Sequence, residues 1–318
     1  MSHKPNTPIT LTLIGILTIT SCTAPPKVQS SPDNITVTVS ILPEKYFVER
    51  IGGGLVNVNV MVGPGESPHS YEPKASQMTA LARSSAYFAI GVEFEDAWMD
   101  RIASANPDMP IIDLTGGIEF IEGAGDHDHD EDNFDESSNE EHGDEHEEEE
   151  HLDEPGHQEM DPHIWTSPAN AVIISEKIYE TLANLDPENA DQFEINLKQL
   201  LADIAALQAD INEALAARSS DQFMVFHPAW GYFAEEFGLV QIPIEAGGSE
   251  PSAGELAEII TEAKETNISV IFAQPEFSTR SADFIAEEIG GSVILVSPLA
   301  EDWLDNMRLV AQAFAEAL

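Results

Sequence analysis

DPENADQFEINLKQLLADIAALQADINEALAA, residues 186–217, is the longest helical pattern in the chain. Asp186-Pro187 reads as a cap followed by proline at the first helical position, where its missing N–H costs nothing. Phe193, Leu197, Leu200, Ile204, Leu207, Ile211 and Leu215 recur every three or four residues and make one apolar stripe. At 1.5 Å per residue, such a helix spans roughly 48 Å. Alone it is a core helix or a coiled-coil strand. What flanks it suggests another role.

On the N-terminal side, ITVTVSI (35–41), NVNVMV (57–62), AYFAI (86–90) and PIIDL (110–114) are β-rich runs separated by helical spacing. On the C-terminal side the alternation resumes with QFMVFH (222–227), LVQIPI (239–244), ISVIFA (268–273) and SVILV (292–296). Strands alternating with helices of this length predict mostly parallel sheets covered on both faces. The expectation is therefore α/β: an N-terminal lobe over 35–185, a rigid linking helix over 186–218 and a C-terminal lobe over 219–318. No internal repeat is strong enough to assign.

Ahead of the first lobe, residues 1–21 carry the apolar run ITLTLIGILTIT after Lys4, too short to span a bilayer comfortably and suited to a signal peptide. Ile19-Thr20-Ser21-Cys22 resembles the lipobox of bacterial lipoproteins, in which the cysteine carries lipid. Residues 22–34 then read as a Pro- and Ser-rich tether rather than a continuing strand. Cys22 is the sole cysteine, which excludes a disulfide framework and a thiolate metal site. The chain is expected outside the cytoplasmic membrane, periplasmic or at the cell surface, held by a lipid anchor only.

Charge narrows the partners. With 58 acidic and 13 basic residues the net charge is -45. Such a surface repels nucleic acid and anionic membranes and concentrates cations; adaptation to a saline medium would leave the same mark. Of those acidic residues, 18 fall between Gly123 and Met160, a segment with no Lys or Arg. Its centre, DHDHDEDNFDESSNEEHGDEHEEEEH (126–151), has too few apolar residues to offset the entropy of ordering.

Histidines locate the chemistry. His3 lies in the leader, and His127, His129, His142, His146, His151 and His157 lie in the acidic segment. His69, His163 and His227 remain, each where a strand or loop gives way to a turn. In open parallel sheets, ligands gather at the carboxyl ends of strands. Three imidazoles so placed point to one metal centre, although the long-range spacing matches no local zinc signature.

SPHSYEP (67–73), DPHIW (161–165) and FHPAWGYFAEEFGL (226–239), in that order, resemble the metal-specific solute-binding lipoproteins of ABC importers (cluster A-I), and most closely the zinc-uptake, ZnuA-like branch. The likeness extends through IEAGGSEPSAGEL, FAQPEFSTR and SPLA to cover nearly all of 35–318. It implies two α/β lobes joined by one long helix, with zinc held between them by His69, His163 and His227. It implies a partner permease, no catalysis, and an acidic insertion just before the second ligand. The chain departs from the family pattern at Ser297, where an Asp ligand is common. Three imidazoles without that Asp favour Zn²⁺ over Mn²⁺. The fourth position is left to water or to a carboxylate such as Glu276, Glu301 or one from the insertion.

Supporting roles are expected for Glu72 and Asp161 as acceptors from the second ring N–H, though Asp161 is equally suited to capping the turn before Pro162. Trp165, Trp230 and Tyr232 are candidates for the cleft wall or ordinary core, and Pro64 and Gly65 shape the loop before His69. Six mobile histidines make weak, exchangeable sites, so the insertion is read as an accessory to a pre-organised centre. A monomer is expected. Two other functions remain open: a zinc hydrolase or lyase built on three histidines, although no HExxH motif supplies a base, and a surface zinc buffer or adhesin.

Overall fold

The computed structural model describes Met1 and residues 34–123, 160–245 and 249–318. The expected leader, Cys22 with its tether, and the acidic insertion with its six histidines lie outside them.

Four short runs of β-branched and aromatic residues form the first sheet: Ile35–Val39 (β1), Val56–Val60 (β2), Ala86–Ala89 (β3) and Ile111–Asp113 (β4). They pair in parallel in the order β2-β1-β3-β4. Parallel neighbours need crossovers, and these are Leu42–Gly52 (α1), Ala75–Leu81 (α2) and Glu93–Ala105 (α3). Two long helices follow, Pro168–Leu185 (α4) and Ala190–Leu215 (α5). The second lobe repeats the plan with Gln222–Val225 (β5), Gly231–Phe237 (α6), Val240–Pro243 (β6), Ala253–Glu265 (α7), Val270–Ala273 (β7), Arg280–Ile289 (α8) and Ser292–Leu295 (β8). Its sheet is also parallel, in the order β6-β5-β7-β8. Trp303–Ala317 (α9) ends the chain. All eight expected strands are present, trimmed where their flanks enter turns, except that β2 begins one residue early at Val56.

The linking helix needs correction. It starts at Ala190, one turn later than expected, and its 26 residues span about 39 Å. Asp186 and Pro187 do not open it, because Asn189 closes a turn there. Its main-chain N–H donates to the Asp186 carbonyl at 3.1 Å and its side-chain amide to the Asp186 carboxylate at 2.6 Å. That corner folds α5 back against α4, a helix the sequence reading left unassigned. Ala171, Ile174, Ile178 and Leu182 form its buried stripe, and Ser167 caps it by accepting from the Asn170 N–H at 3.1 Å.

The seven-residue stripe on α5 is buried in full. It contacts α1, α4 and α9, so one apolar core runs from Val37 in the first lobe through Ile204 to Phe314 in the second. A smaller cluster, including Met224, Ile271 and Ile285, fills the second lobe beneath α7 and α8. Burying each large aliphatic side chain contributes about 1.5–3 kcal/mol. The part-exposed Arg50–Asp203 pair at 2.5 Å, between α1 and α5, contributes about 1 kcal/mol at most. Apolar packing therefore holds α5 in place.

The lobes also meet away from α5. The Trp303 ring packs on Phe47 at 5.0 Å, and its N–H donates to the Trp165 carbonyl at 2.8 Å. The Trp165 N–H donates in turn to the Pro298 carbonyl at 2.7 Å, and Lys45 pairs with Glu301. A single helical strut is therefore too simple a picture.

Candidate metal centre

Strand order says where a ligand should sit. In each sheet the chain leaves its first strand for one neighbour and returns to the other side, and the loops at that switch point enclose a crevice. His227 follows β5 at the switch point of the second sheet, and Glu93 follows β3 at that of the first. His69 comes from the loop after β2, on a single helical turn, Pro68–Ser70, that Ser67 begins. His163 comes from the segment before α4.

The three imidazoles converge. His69 Nε2 lies 3.0 Å from His227 Nε2, which lies 3.3 Å from His163 Nε2. Their ligating atoms form a group within 4.8 Å of one another, and no carboxylate among the described residues joins it. Donors on a tetrahedral zinc at about 2.0–2.1 Å stand roughly 3.3–3.4 Å apart, so this donor set fits such an ion. His163 and His227 are buried, while His69 is part-exposed and forms the accessible side.

Each ring is held by a carboxylate at its other nitrogen. Glu93 lies 2.7 Å from His69 Nδ1, Asp161 lies 2.7 Å from His163 Nδ1, and Glu245 lies 3.0 Å from His227 Nδ1. A carboxylate at Nδ1 fixes the proton there and leaves Nε2 with a free lone pair facing the centre. Glu93 keeps part of its surface in solvent, and although partial desolvation works against its charge, the hydrogen bond and charge of His69 hold its carboxyl below the usual range. Burial lowers the pKa of His227 against the opposing pull of Glu245, with the neighbouring His163 and His69 adding to the lowering. Neutral imidazole, the form that binds metal, is favoured there.

Asp161 is fixed from several sides. Its carboxylate also accepts from the His163 main-chain N–H at 2.8 Å, and the Tyr232 hydroxyl donates to its carbonyl at 2.8 Å. Burial pushes the Tyr232 phenol up to about 12, so it stays a donor. Gly231 is required for this close approach, because a Cβ there would stand 2.6 Å from Asp161 Oδ2 and 2.7 Å from Ile121 Cδ1. Glu122 and Met160, at the two ends of the acidic insertion, form an antiparallel bridge, and the Asp161 N–H donates to the Ile121 carbonyl. The insertion therefore leaves and rejoins the fold beside the support of His163.

Other expected residues fall elsewhere. Glu72 is exposed, and Glu93 occupies the position it was expected to fill. Trp165 packs on His163 at 5.4 Å, whereas Trp230 packs on Phe233 and Phe314 within the second lobe. Tyr232 acts through Asp161 rather than as a wall. Glu301 is exposed and paired with Lys45, and Glu276 accepts from the Ser297 hydroxyl at 2.5 Å. Sequence reasoning missed Glu93, Glu245 and Phe277, whose ring covers His227 at 5.2 Å and His69 at 6.0 Å. The rule that singled out the histidines would have found both carboxylates. Glu245 ends LVQIPIE and Glu93 opens a helix after AYFAI, each at the carboxyl end of a strand.

Known proteins resemble this chain in sequence and in fold. The chain is 26% identical to the zinc-binding lipoprotein AdcA of Streptococcus pneumoniae over 273 residues, 83% of this chain and 50% of that protein. It thus spans about half the length of that relative. It is 30% identical over 278 residues to the high-affinity zinc uptake system protein ZnuA of Bacillus subtilis, covering 85% of this chain and 80% of that one. The solved structure of a zinc-bound ZnuA deletion mutant superposes with a TM-score of 0.76 at 41% identity, over 90% of this chain and 98% of that one. The family model for the periplasmic zinc-uptake complex component A matches residues 37–317, and the chain belongs to that ZnuA family.

Proposed function

We propose that this chain is the extracytoplasmic zinc-binding subunit of an ABC importer, which captures Zn²⁺ between its lobes and delivers it to a membrane permease. One observation carries the reading: three Nε2 atoms from both lobes meet at one point, each ring oriented by its own carboxylate. His69, His163 and His227 are the ligands, and water completes the tetrahedron. The ion is cargo, reached from the His69 side. Glu93, Asp161 and Glu245, the carboxylates that touch the three rings, are engaged with imidazole nitrogens, so none of these three is free to act as the general base a hydrolase needs. No helix among the described residues is long and apolar enough to cross a membrane; attachment is through lipid on Cys22, a reading supported by the lipobox-like Ile19-Thr20-Ser21-Cys22. The protein acts as a monomer, and the insertion serves the centre as an accessory.

Calorimetric zinc titration tests this on three proteins: the chain from Thr23 onward, a version with residues 124–159 replaced by a short turn, and His227→Ala. Keeping Glu122 and Met160 preserves the bridge that supports Asp161. One tight site should survive the excision and vanish with His227. If tight binding goes with the insertion instead, the histidine centre is not the receptor.

A further inference from the structure

His163 lies on no strand, so something other than a sheet must hold it in place. It sits in the segment 161–169 ahead of and entering α4, and one short helix of the second lobe grips that segment at both ends. This helix, α6, begins just after His227. Tyr232 and Glu236 stand four residues apart on it, about one turn, and so share a face. At one end of the segment the Tyr232 hydroxyl donates to the Asp161 carbonyl. At the other, Glu236 accepts from the Ser167 hydroxyl and, at 3.0 Å, from the Ala169 N–H. Its second carboxylate oxygen accepts from the Gln208 amide of α5 at 2.7 Å.

The donors match their partners. Ser167 has one hydroxyl proton and gives it to Glu236, which leaves a lone pair to cap α4 by accepting from the Asn170 N–H. A carboxylate at that point also suits the positive end of the helix. Between the two grips the chain is stiff. Both the N–H and the hydroxyl of buried Thr166 donate to the His163 carbonyl, at 3.1 and 2.9 Å. A shift of Ser167 therefore reaches His163.

We propose that Glu236 is a positioning residue for zinc binding: with Tyr232 it clamps the segment 161–169 to α6 and so fixes His163 Nε2 against His227 Nε2. The inference rests on the reading of the three histidines as the zinc centre. Glu236 bonds to Ser167, Ala169 and Gln208 and to no ring nitrogen, so it acts through the backbone that carries His163. One helix thereby sets the spacing of two ligands that come from different lobes.

The test measures zinc affinity by competition, and the visible absorption of one equivalent of bound cobalt(II), which reports ligand geometry, on the full chain and its variants. Glu236→Ala should weaken zinc about tenfold, the lower end of what outer partners of a ligand contribute, and shift the cobalt bands. Glu236→Gln should bring both back towards the unsubstituted values, because its amide oxygen accepts from Ser167 while Gln208 turns its own amide. Ile285→Val, in the separate core beneath α7 and α8, lowers stability elsewhere and should move neither. If Glu236→Ala does not fold, Ser167→Asp carries the test. It keeps a cap on α4 but sets a carboxylate against Glu236, and should weaken zinc in the same way. Unchanged affinity and bands with lowered stability alone would overturn the proposal, leaving Glu236 a structural residue. A glutamine variant no better than alanine would overturn it too, since charge rather than the hold on Ser167 would then be at work. Failure of the histidine reading is separately visible, as cobalt bands that persist in His227→Ala.

Discussion

At the scale of the residue, three histidine–carboxylate pairs determine what the centre can bind. Glu245→Gln keeps an acceptor near His227 Nδ1 but removes the charge that raises the basicity of the ring. Zinc affinity should fall about 10–100-fold, and less than in His227→Ala. The sign of the pH effect follows from the same pair. Burial holds the His227 pKa below the ordinary 6.5 and Glu245 partly opposes this, so proton competition for that ligand begins below about 6.5. Without the carboxylate the pKa drops further, and His227's share of the acid loss should move to lower pH in the variant. Competitive titration between pH 7.5 and 5.5 checks both points; identical pH profiles would show that Glu245 does not act on the ring.

At the scale of the element, α5 was legible in its packing and misread in its start. The apolar spacing named every residue of the buried stripe, because burial on a helix follows from periodicity alone. The start was misread because Asp-Pro suits a helix cap and a turn equally well. Asn189, bonding back to Asp186, selects the turn. Ile204 lies fully buried in the core that both lobes share. Ile204→Ala should cost about 2–5 kcal/mol in chemical denaturation. The loss should appear as a shift of one cooperative transition, because removing the stripe undermines both lobes together. Two separate transitions would show that the lobes fold as independent units.

At the scale of the whole molecule, strands and sheets were readable because their signals are local. The pairing of His163 with Asp161, two residues away, was readable in the same way; those of His69 with Glu93 and His227 with Glu245 were not, since these groups meet only when separate strand ends are brought together. Contact between the lobes through Trp165, Trp303 and Phe47, in addition to α5, limits how far they can part. Solution scattering should therefore give nearly the same radius of gyration with and without zinc; a large change would mean these contacts break on binding. The strand order has a consequence of its own. With the sheets running β2-β1-β3-β4 and β6-β5-β7-β8, every loop in one lobe has a counterpart in the other. The loop after β2 carries the ligand His69, and its counterpart after β6 carries Glu245, which orients a ligand. The loop after β3 carries the orienting Glu93, and its counterpart after β7 carries Glu276 and Phe277. Corresponding loops of the two lobes thus divide the work around one ion, one holding it while its counterpart steadies a ligand or covers the rings.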